Sequence, residues 1–230
     1  TNSPMAAVPA LRKQPPYDPT HDFTPISAVG RYTFFLYVNS QVPARTLQEL
    51  IDYTRANPGK LAYATGNTTG IVSTAQLLAL GGKLNMLHVP YKDSGVGIID
   101  LAAGRLPMMI TGLQPLIEMH KAGKIKLLAV SGVRRAHQVP NVPMVAEAGF
   151  PGFDSTTWNG LVGPAKLPRA IVDRIHSEIR RRVSEPAFMQ RMDGLGVDVV
   201  GNTPEEFGTH IKAEIARWAP VVKASGATPE

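Results

Sequence analysis

The sequence predicts an α/β protein in which one lobe is inserted into another through two crossing strands. Short apolar runs alternate with helical patterns along the middle of the chain, which favours a mostly parallel sheet covered by helices. An extended aromatic stretch lies on each side of this alternation, and helices complete the chain. We expect residues 1–42 to form part of the first lobe and the first crossing strand, 43–153 the second lobe, and 154–230 the second crossing strand and the C-terminal helices of the first lobe.

The N-terminal half supports this prediction element by element. Residues 1–30 are rich in proline and are interpreted as an extended approach. The stretch YTFFLYVNS, at 32–40, predicts one buried strand, and ARTLQELIDYTRANPG predicts a helix that ends at Asn57. Further strands are predicted at 61–64, 86–89, 106–111 and 125–130, with helices near 71–80, 96–103 and 114–121.

The C-terminal half continues with a loop, a strand and three helices. Prolines interrupt residues 134–153, which predicts an ordered crossing loop with one short helix, and 155–165 reads as a strand. The last helix begins after Thr203, which forms a capping box with Glu206 around a first-turn proline. The two preceding helices are expected near 168–183 and 186–194, and the apolar stripe of the last one consists of Phe207, Ile211, Ile215 and Trp218.

The composition excludes several classes of function. Of the 230 residues, 43% are hydrophobic and 18% charged, which is typical of a globular protein. The absence of cysteine excludes a disulfide scaffold, a thiol nucleophile and a zinc–thiolate site. The net charge of +6 can attract anions, but an aromatic content of 7% does not suggest a nucleic-acid platform, so we expect no nucleic-acid partner.

The sequence shows no catalytic or metal-binding motif. Its six histidines form no pair at a spacing of two or four, so no metal clip on a strand or helix is visible. There is neither a G-x-S-x-G elbow nor a phosphate-binding G-x-x-x-x-G-K-[ST] loop. We therefore predict no catalytic residue, no metal and no cofactor.

Polar, glycine-containing junctions follow three of the predicted strands. They are YATGNTTG, VPYKDSGVG and MITGLQP, and each leads into a predicted helix. In open α/β sheets, ligands bind outside the carboxyl ends of the strands, so these junctions predict a binding rim. The first junction has two interpretations that the residues alone leave open, a well-capped turn and an anion-binding loop at a helix start.

Four segments occur in a characteristic order along the chain. They are HVPYKDSGVGIIDLAAGRL, HKAGKIKLLAVSGVRRAHQVPNVPMVAEAGFPGF, WNGLVGPAKLP and TPEEFGTHIKAEIARWAPVVKASG. In combination they resemble the tripartite tricarboxylate transporter receptors, the Bug or TctC-like solute-binding proteins, over nearly the whole chain. The resemblance implies a periplasmic-binding-protein type II fold of two α/β lobes joined by two strands, with the first lobe incomplete at its N-terminus here. It also implies a periplasmic receptor, not an enzyme, that captures a small carboxylate in its cleft for membrane permease subunits.

The resemblance also nominates ligand-binding residues. Family ligands are dicarboxylates, tricarboxylates, acidic amino acids and aromatic acids, and loop amides, small hydroxyls and waters recognise them. Tyr91 is equally compatible with core packing, and Asp93 places an acid where glycine is common. The alternatives are an α/β enzyme acting on an anionic metabolite and the ligand-sensing domain of a regulator. The expected ligand-binding residues are Thr65, Gly66, Asn67, Thr68, Thr69, Tyr91 and Ser94 from the second lobe, with Asn2 and Ser3 from the first.

Overall fold

The computed structural model describes residues 1–7, 9, 12, 14–113 and 116–225. The chain divides into two compact units, of which the first contains Thr1–Tyr32 and Thr157–Glu230 and the second contains Thr33–Thr156. The boundaries therefore fall between residues 32 and 33 and between 156 and 157, whereas we expected 42/43 and 153/154.

The described residues of the first unit form an antiparallel sheet and several helical segments. Its strands are β1 (Phe23–Tyr32), β7 (Thr157–Pro164) and β8 (Val197–Val199), in the order β7-β1-β8. Its helical segments are a π-helical turn (Ser3–Ala7) and helices α5 (Arg169–Val183), α6 (Pro186–Gly194) and α7 (Pro204–Ser225). The proline-rich start is thus not wholly extended, because it contains the π-helical turn, and its last part is not a loop but most of strand β1.

The second unit contains a five-stranded sheet flanked by helices. Its strands are β2 (Phe35–Asn39), β3 (Ala62–Thr65), β4 (Leu87–Pro90), β5 (Met108–Thr111) and β6 (Ile125–Val130), in the order β4-β3-β5-β2-β6. Its helices are α1 (Leu47–Ala56), α2 (Thr68–Leu80), α3 (Ser94–Ala102) and α4 (Leu116–Lys121). The expected start of α4 at residue 114 lies outside the described residues.

The second sheet is mixed rather than mostly parallel. Strand β3 is parallel to both β4 and β5, whereas β2 is antiparallel to β5 and β6. The carboxyl ends of β3, β4 and β5 therefore lie along one edge, followed by the junctions that the sequence analysis singled out.

Two sequence-based expectations about local structure were wrong. The stretch 32–40 is not one strand, because β1 ends at Tyr32 and β2 begins at Phe35 in the other sheet. Residues 134–153 contain turns and a bridge between Val130 and Met144, with no helix. Prolines remove backbone donors in this segment, and Gly149 and Gly152 adopt φ of 106° and 82°, which a right-handed helix excludes.

The last helix confirms the predicted capping box and apolar stripe. The Glu206 amide donates to the Thr203 hydroxyl at 3.2 Å, and the Thr203 amide donates to the Glu206 carboxylate at 2.8 Å. Phe207 and Ile211 are buried in a core with Trp158, whose ring meets that of Phe207 edge-on at 5.3 Å. Burial of these aromatic side chains stabilises the contact of α7 with the first sheet.

Candidate functional site

The loops that follow β3 and β4 lie side by side at the edge of the second sheet. The Tyr91 amide donates to the Thr65 carbonyl at 2.8 Å, which continues the parallel pairing of the two strands into the loops. A Cβ atom on Gly66 would lie 2.3 Å from the Ser94 nitrogen and 2.4 Å from the Asp93 carbonyl carbon. Only glycine fits this contact, so the start of α3 is held directly against the loop that precedes α2.

Helix α2 begins with a neutral cap. The Asn67 side-chain oxygen accepts the Gly70 amide at 2.8 Å, and its amide group donates to the Ser94 hydroxyl at 3.0 Å. Asn67 is exposed, and Thr68 at the first helical position is half-buried. Because no acidic side chain lies in this first turn, the helix itself does not compensate the positive end of its dipole, which favours an anion.

Helix α3 begins, in contrast, with a charged cap. The Asp93 carboxylate accepts the Gly95 amide at 2.8 Å and the Val96 amide at 3.3 Å through the same oxygen. A carboxylate at a helix N-terminus satisfies the first-turn amides and compensates the dipole. Of the two adjacent helix starts, that of α2 is therefore the more favourable seat for an anion.

The Thr65 hydroxyl is paired with a histidine. Its oxygen lies 2.6 Å from Nε2 of His88, and the His88 ring stacks on Tyr63 with centroids 5.0 Å apart. Burial lowers the pKa of His88, which favours the neutral imidazole at neutral pH. The Thr65 side chain is thus hydrogen-bonded to His88 of the neighbouring strand β4. The next residues of the loop, Gly66 and Asn67, lead directly into the start of α2.

Tyr91 makes contacts that account for it structurally. Its hydroxyl donates to Asp100 at 2.7 Å, and Arg105 donates to the other oxygen of Asp100 at 2.6 and 2.9 Å. The hydrogen bond raises the pKa of Tyr91 and lowers the pKa of Asp100. The ring packs against the core of the second unit, so the contacts favour the packing interpretation over ligand binding.

Three buried serines behind the first turn of α2 are linked by side-chain and backbone hydrogen bonds that the sequence analysis did not identify. Ser73 donates to the Thr69 carbonyl at 2.6 Å and pairs with the Ser155 hydroxyl. The Ser155 amide donates to the Ser131 carbonyl at 2.7 Å, and the Ser131 hydroxyl accepts the Phe34 amide at 2.9 Å. Each of these serines is at most 1% exposed, so the first turn of α2 is fixed to the end of β6.

The remaining candidates, Asn2 and Ser3, belong to the first unit. Asn2 is 1% exposed and accepts a hydrogen bond from the Thr157 hydroxyl. Ser3 begins the π-helical turn. The structure therefore brings the candidates from Thr65 to Thr69, with Tyr91 and Ser94, together in the second unit.

In the described part of the chain, no three His, Asp or Glu side chains are grouped so as to hold a metal ion. None of the helices described is both long and apolar enough to cross a bilayer.

Comparison with known proteins identifies the family. A sequence profile described as the tripartite tricarboxylate transporter family receptor matches residues 1–227. The chain belongs to this family. Its members are receptors that bind solutes, and they include periplasmic binding proteins.

Relatives with solved structures show the same fold. An R. palustris protein solved with adipate is 31% identical, with a TM-score of 0.91, and the match covers 99% of this chain and 77% of that one. MatC of Rhodopseudomonas palustris, solved with bound malate, is 26% identical with a TM-score of 0.87, covering 96% and 76%. These matches confirm the two-lobed α/β fold predicted from the sequence and the periplasmic-binding-protein type that the family resemblance implied.

A curated relative is longer than the part of it that this chain matches. A protein from the tcbD-tcbE intergenic region of a Pseudomonas species is 34% identical over 209 residues, which make up 90% of this chain and 62% of that protein. The chain thus spans less than two thirds of that relative's length.

Proposed function

We propose that this receptor captures a small organic carboxylate at the loop Thr65–Gly70 and delivers it to a tripartite tricarboxylate-type transporter. The observation that carries the proposal is the family match over residues 1–227, together with relatives solved with adipate and malate. The neutral start of α2 supplies a physical basis, because a helix N-terminus without an acidic cap attracts a carboxylate.

The proposed seat relies on hydrogen bonds rather than on a cationic side chain. The amides of the first helical turn have no hydrogen-bond acceptor within the helix. In α2, the Asn67 side-chain oxygen accepts the Gly70 amide. The amide and hydroxyl of Thr68 are the proposed ligand donors, with Asn67 and Ser94 at the side of the seat. Each neutral hydroxyl contributes a net of about 0.5–1.5 kcal/mol, so several such bonds must act together.

The cellular context is part of the same proposal. We place the protein in the periplasm, where it would present its ligand to the membrane permease subunits of the transporter. Its role would be reversible binding without turnover, in keeping with a receptor family. Incubation with candidate carboxylates followed by product analysis tests this point, since any enzyme-dependent product would contradict it.

Calorimetry with a carboxylate panel tests the binding proposal. The panel of adipate, malate, citrate, glutamate and benzoate covers the expected ligand classes. Thr68→Ala should lower the affinity for the tightest-binding ligand about two- to tenfold, because one hydrogen bond from a hydroxyl is lost. Thr209→Ala removes a hydroxyl that donates to the Glu205 carbonyl on the solvent-exposed face of α7 in the first unit, and it should leave the affinity unchanged. Unaltered binding in Thr68→Ala would exclude this seat.

A further inference from the structure

Asp93 places a fixed negative charge beside the proposed carboxylate seat. Its backbone carbonyl carbon would lie 2.4 Å from a Cβ on Gly66, and the neighbouring Ser94 hydroxyl accepts from Asn67 at 3.0 Å. Asp93 is exposed, and one of its carboxylate oxygens, Oδ1, accepts both the Gly95 and Val96 amides. In the described part of the chain, these two amides are the hydrogen-bond partners of the carboxylate.

The two helix starts differ in charge although they are in contact. The start of α2 is capped by a neutral amide, and that of α3 by a carboxylate. The Asn67 amide group lies 3.0 Å from the Ser94 hydroxyl, so a small ligand held at the start of α2 would lie inside the Debye length, about 10 Å at 0.1 M salt, from the start of α3. Asp93 therefore acts on the total charge of the ligand, and a second carboxylate group is repelled as well as the first.

We infer that Asp93 determines specificity by selecting, among carboxylates, ligands whose other polar group is a hydroxyl or an ammonium group. Repulsion from Asp93 penalises a dianion more than a monoanion of the same length. The second oxygen, Oδ2, can accept a hydrogen bond from a ligand hydroxyl or ammonium group, which a second ligand carboxylate cannot donate. This inference rests on the proposed function, because it assigns a ligand class to the same seat.

Three ligands of equal chain length test the inference on the whole chain. Adipate, 6-hydroxyhexanoate and 6-aminohexanoate share a carboxylate and differ at the other end, which is anionic, neutral or cationic. Asp93→Asn removes the charge but keeps an oxygen that caps α3, since Asn and Asp are comparable caps. The control Asp52→Asn removes one charge from α1, at a position near the C-terminal end of α2. Asp52 pairs with Arg55, which donates to the Gly81 carbonyl after the last turn of α2, roughly 20 Å from its start.

The wild-type chain should bind 6-hydroxyhexanoate or 6-aminohexanoate more tightly than adipate. Asp93→Asn should raise the affinity for adipate about three- to tenfold and lower the affinity for 6-aminohexanoate by a similar factor. The affinity for 6-hydroxyhexanoate should change least. The shift should shrink in 1 M salt, where the Debye length is about 3 Å, whereas a change in packing would persist. Asp52→Asn should leave the ratios at their wild-type values.

The outcomes separate this inference from the function on which it rests. The inference alone is overturned if the affinity of adipate relative to the other two ligands is the same in wild type and Asp93→Asn. It is also overturned if Asp52→Asn changes this ratio as much as Asp93→Asn does. A wild-type chain that binds none of these ligands and none of the carboxylate panel contradicts the proposed function, and the inference falls with it.

Discussion

Replacing the neutral cap of α2 by an acidic one should affect the stability of the fold and the affinity for a carboxylate differently. Asn67→Asp keeps a side-chain oxygen for the Gly70 amide, which Asn67 accepts at 2.8 Å, and Asp is as good a cap as Asn. The lost donation to Ser94 is replaceable, since the Ser94 hydroxyl can donate to the new carboxylate. The added charge gains about 0.3–1 kcal/mol from the helix dipole, but repulsion from the neighbouring Asp93 carboxylate opposes this gain, so we expect little net change in stability.

The same change should weaken ligand binding. For a ligand carboxylate in direct contact with the start of α2, we take a separation of about 4 Å from the introduced carboxylate. Two like charges at that distance repel by about 1 kcal/mol at the dielectric constant of water and about 4 kcal/mol at an effective dielectric constant of 20. The affinity should therefore fall at least about fivefold, because each 1.4 kcal/mol corresponds to a factor of ten.

Calorimetry and thermal denaturation together test this reasoning. The ligand is whichever panel member the wild type binds most tightly, and the melting temperature is measured without ligand. Asn67→Ser serves as the matched control, since serine is a neutral cap that brings no repulsion. Wild-type affinity in Asn67→Asp would refute the anion seat at α2. An equal loss in Asn67→Ser would show that contact with the Asn67 side chain, rather than charge, decides binding.

Two further predictions concern stability. Gly66→Ala should destabilise the chain by about 1–3 kcal/mol in chemical denaturation, because its Cβ would lie 2.3 Å from a backbone nitrogen, whereas the control Gly112→Ala has nothing within 4 Å and should change little. Equal effects in the two variants would refute the packing argument. Glu214→Gln should cost about 1.5–3 kcal/mol at neutral pH, because two tryptophan N–H groups and Arg217 donate to this buried carboxylate. Burial alone would raise the pKa of Glu214, but the three donors outweigh the effect of burial and hold the pKa below its ordinary value of 4.5. The stabilisation is therefore complete above about pH 4.5 and lost as the pH falls through the folded pKa. The difference in melting temperature between variant and wild type should shrink in acid, and a difference that does not vary with pH would contradict the assignment.

Local signals in the sequence predicted most elements of the fold. The capping box of Thr203 and Glu206 and the helix stop at Asn57 were read correctly, because both depend on residues within a few positions. The break between Tyr32 and Phe35 was missed, since Thr33 and Phe34 between them carry no turn signal. Strand β8 was missed because it has three residues and is recognisable only by its pairing with β1.

The candidate site was predictable where it lies in one loop and not where it is assembled in space. Thr65–Thr69 could be nominated because a strand, a polar turn and a helix follow one another in the sequence. Ser73 and Ser155 are 82 residues apart, and the bond between them follows no motif. Tyr91 shows the converse, because its bond to Asp100 is visible only in three dimensions and favours a structural role.

The caps of α2 and α3 show why fold and ligand preference are separable in this chain. Asn67 and Asp93 stabilise their helices in the same way, as N-caps. Each accepts a first-turn amide at 2.8 Å, and both residue types are strong caps. Selection for the fold alone would therefore tolerate either residue at either position. Their charges nevertheless have opposite consequences for a bound anion, because a neutral cap leaves the helix dipole available and a carboxylate compensates it. A single exchange between Asn and Asp at these positions should thus change which carboxylates bind while the two helices still begin at the same residues.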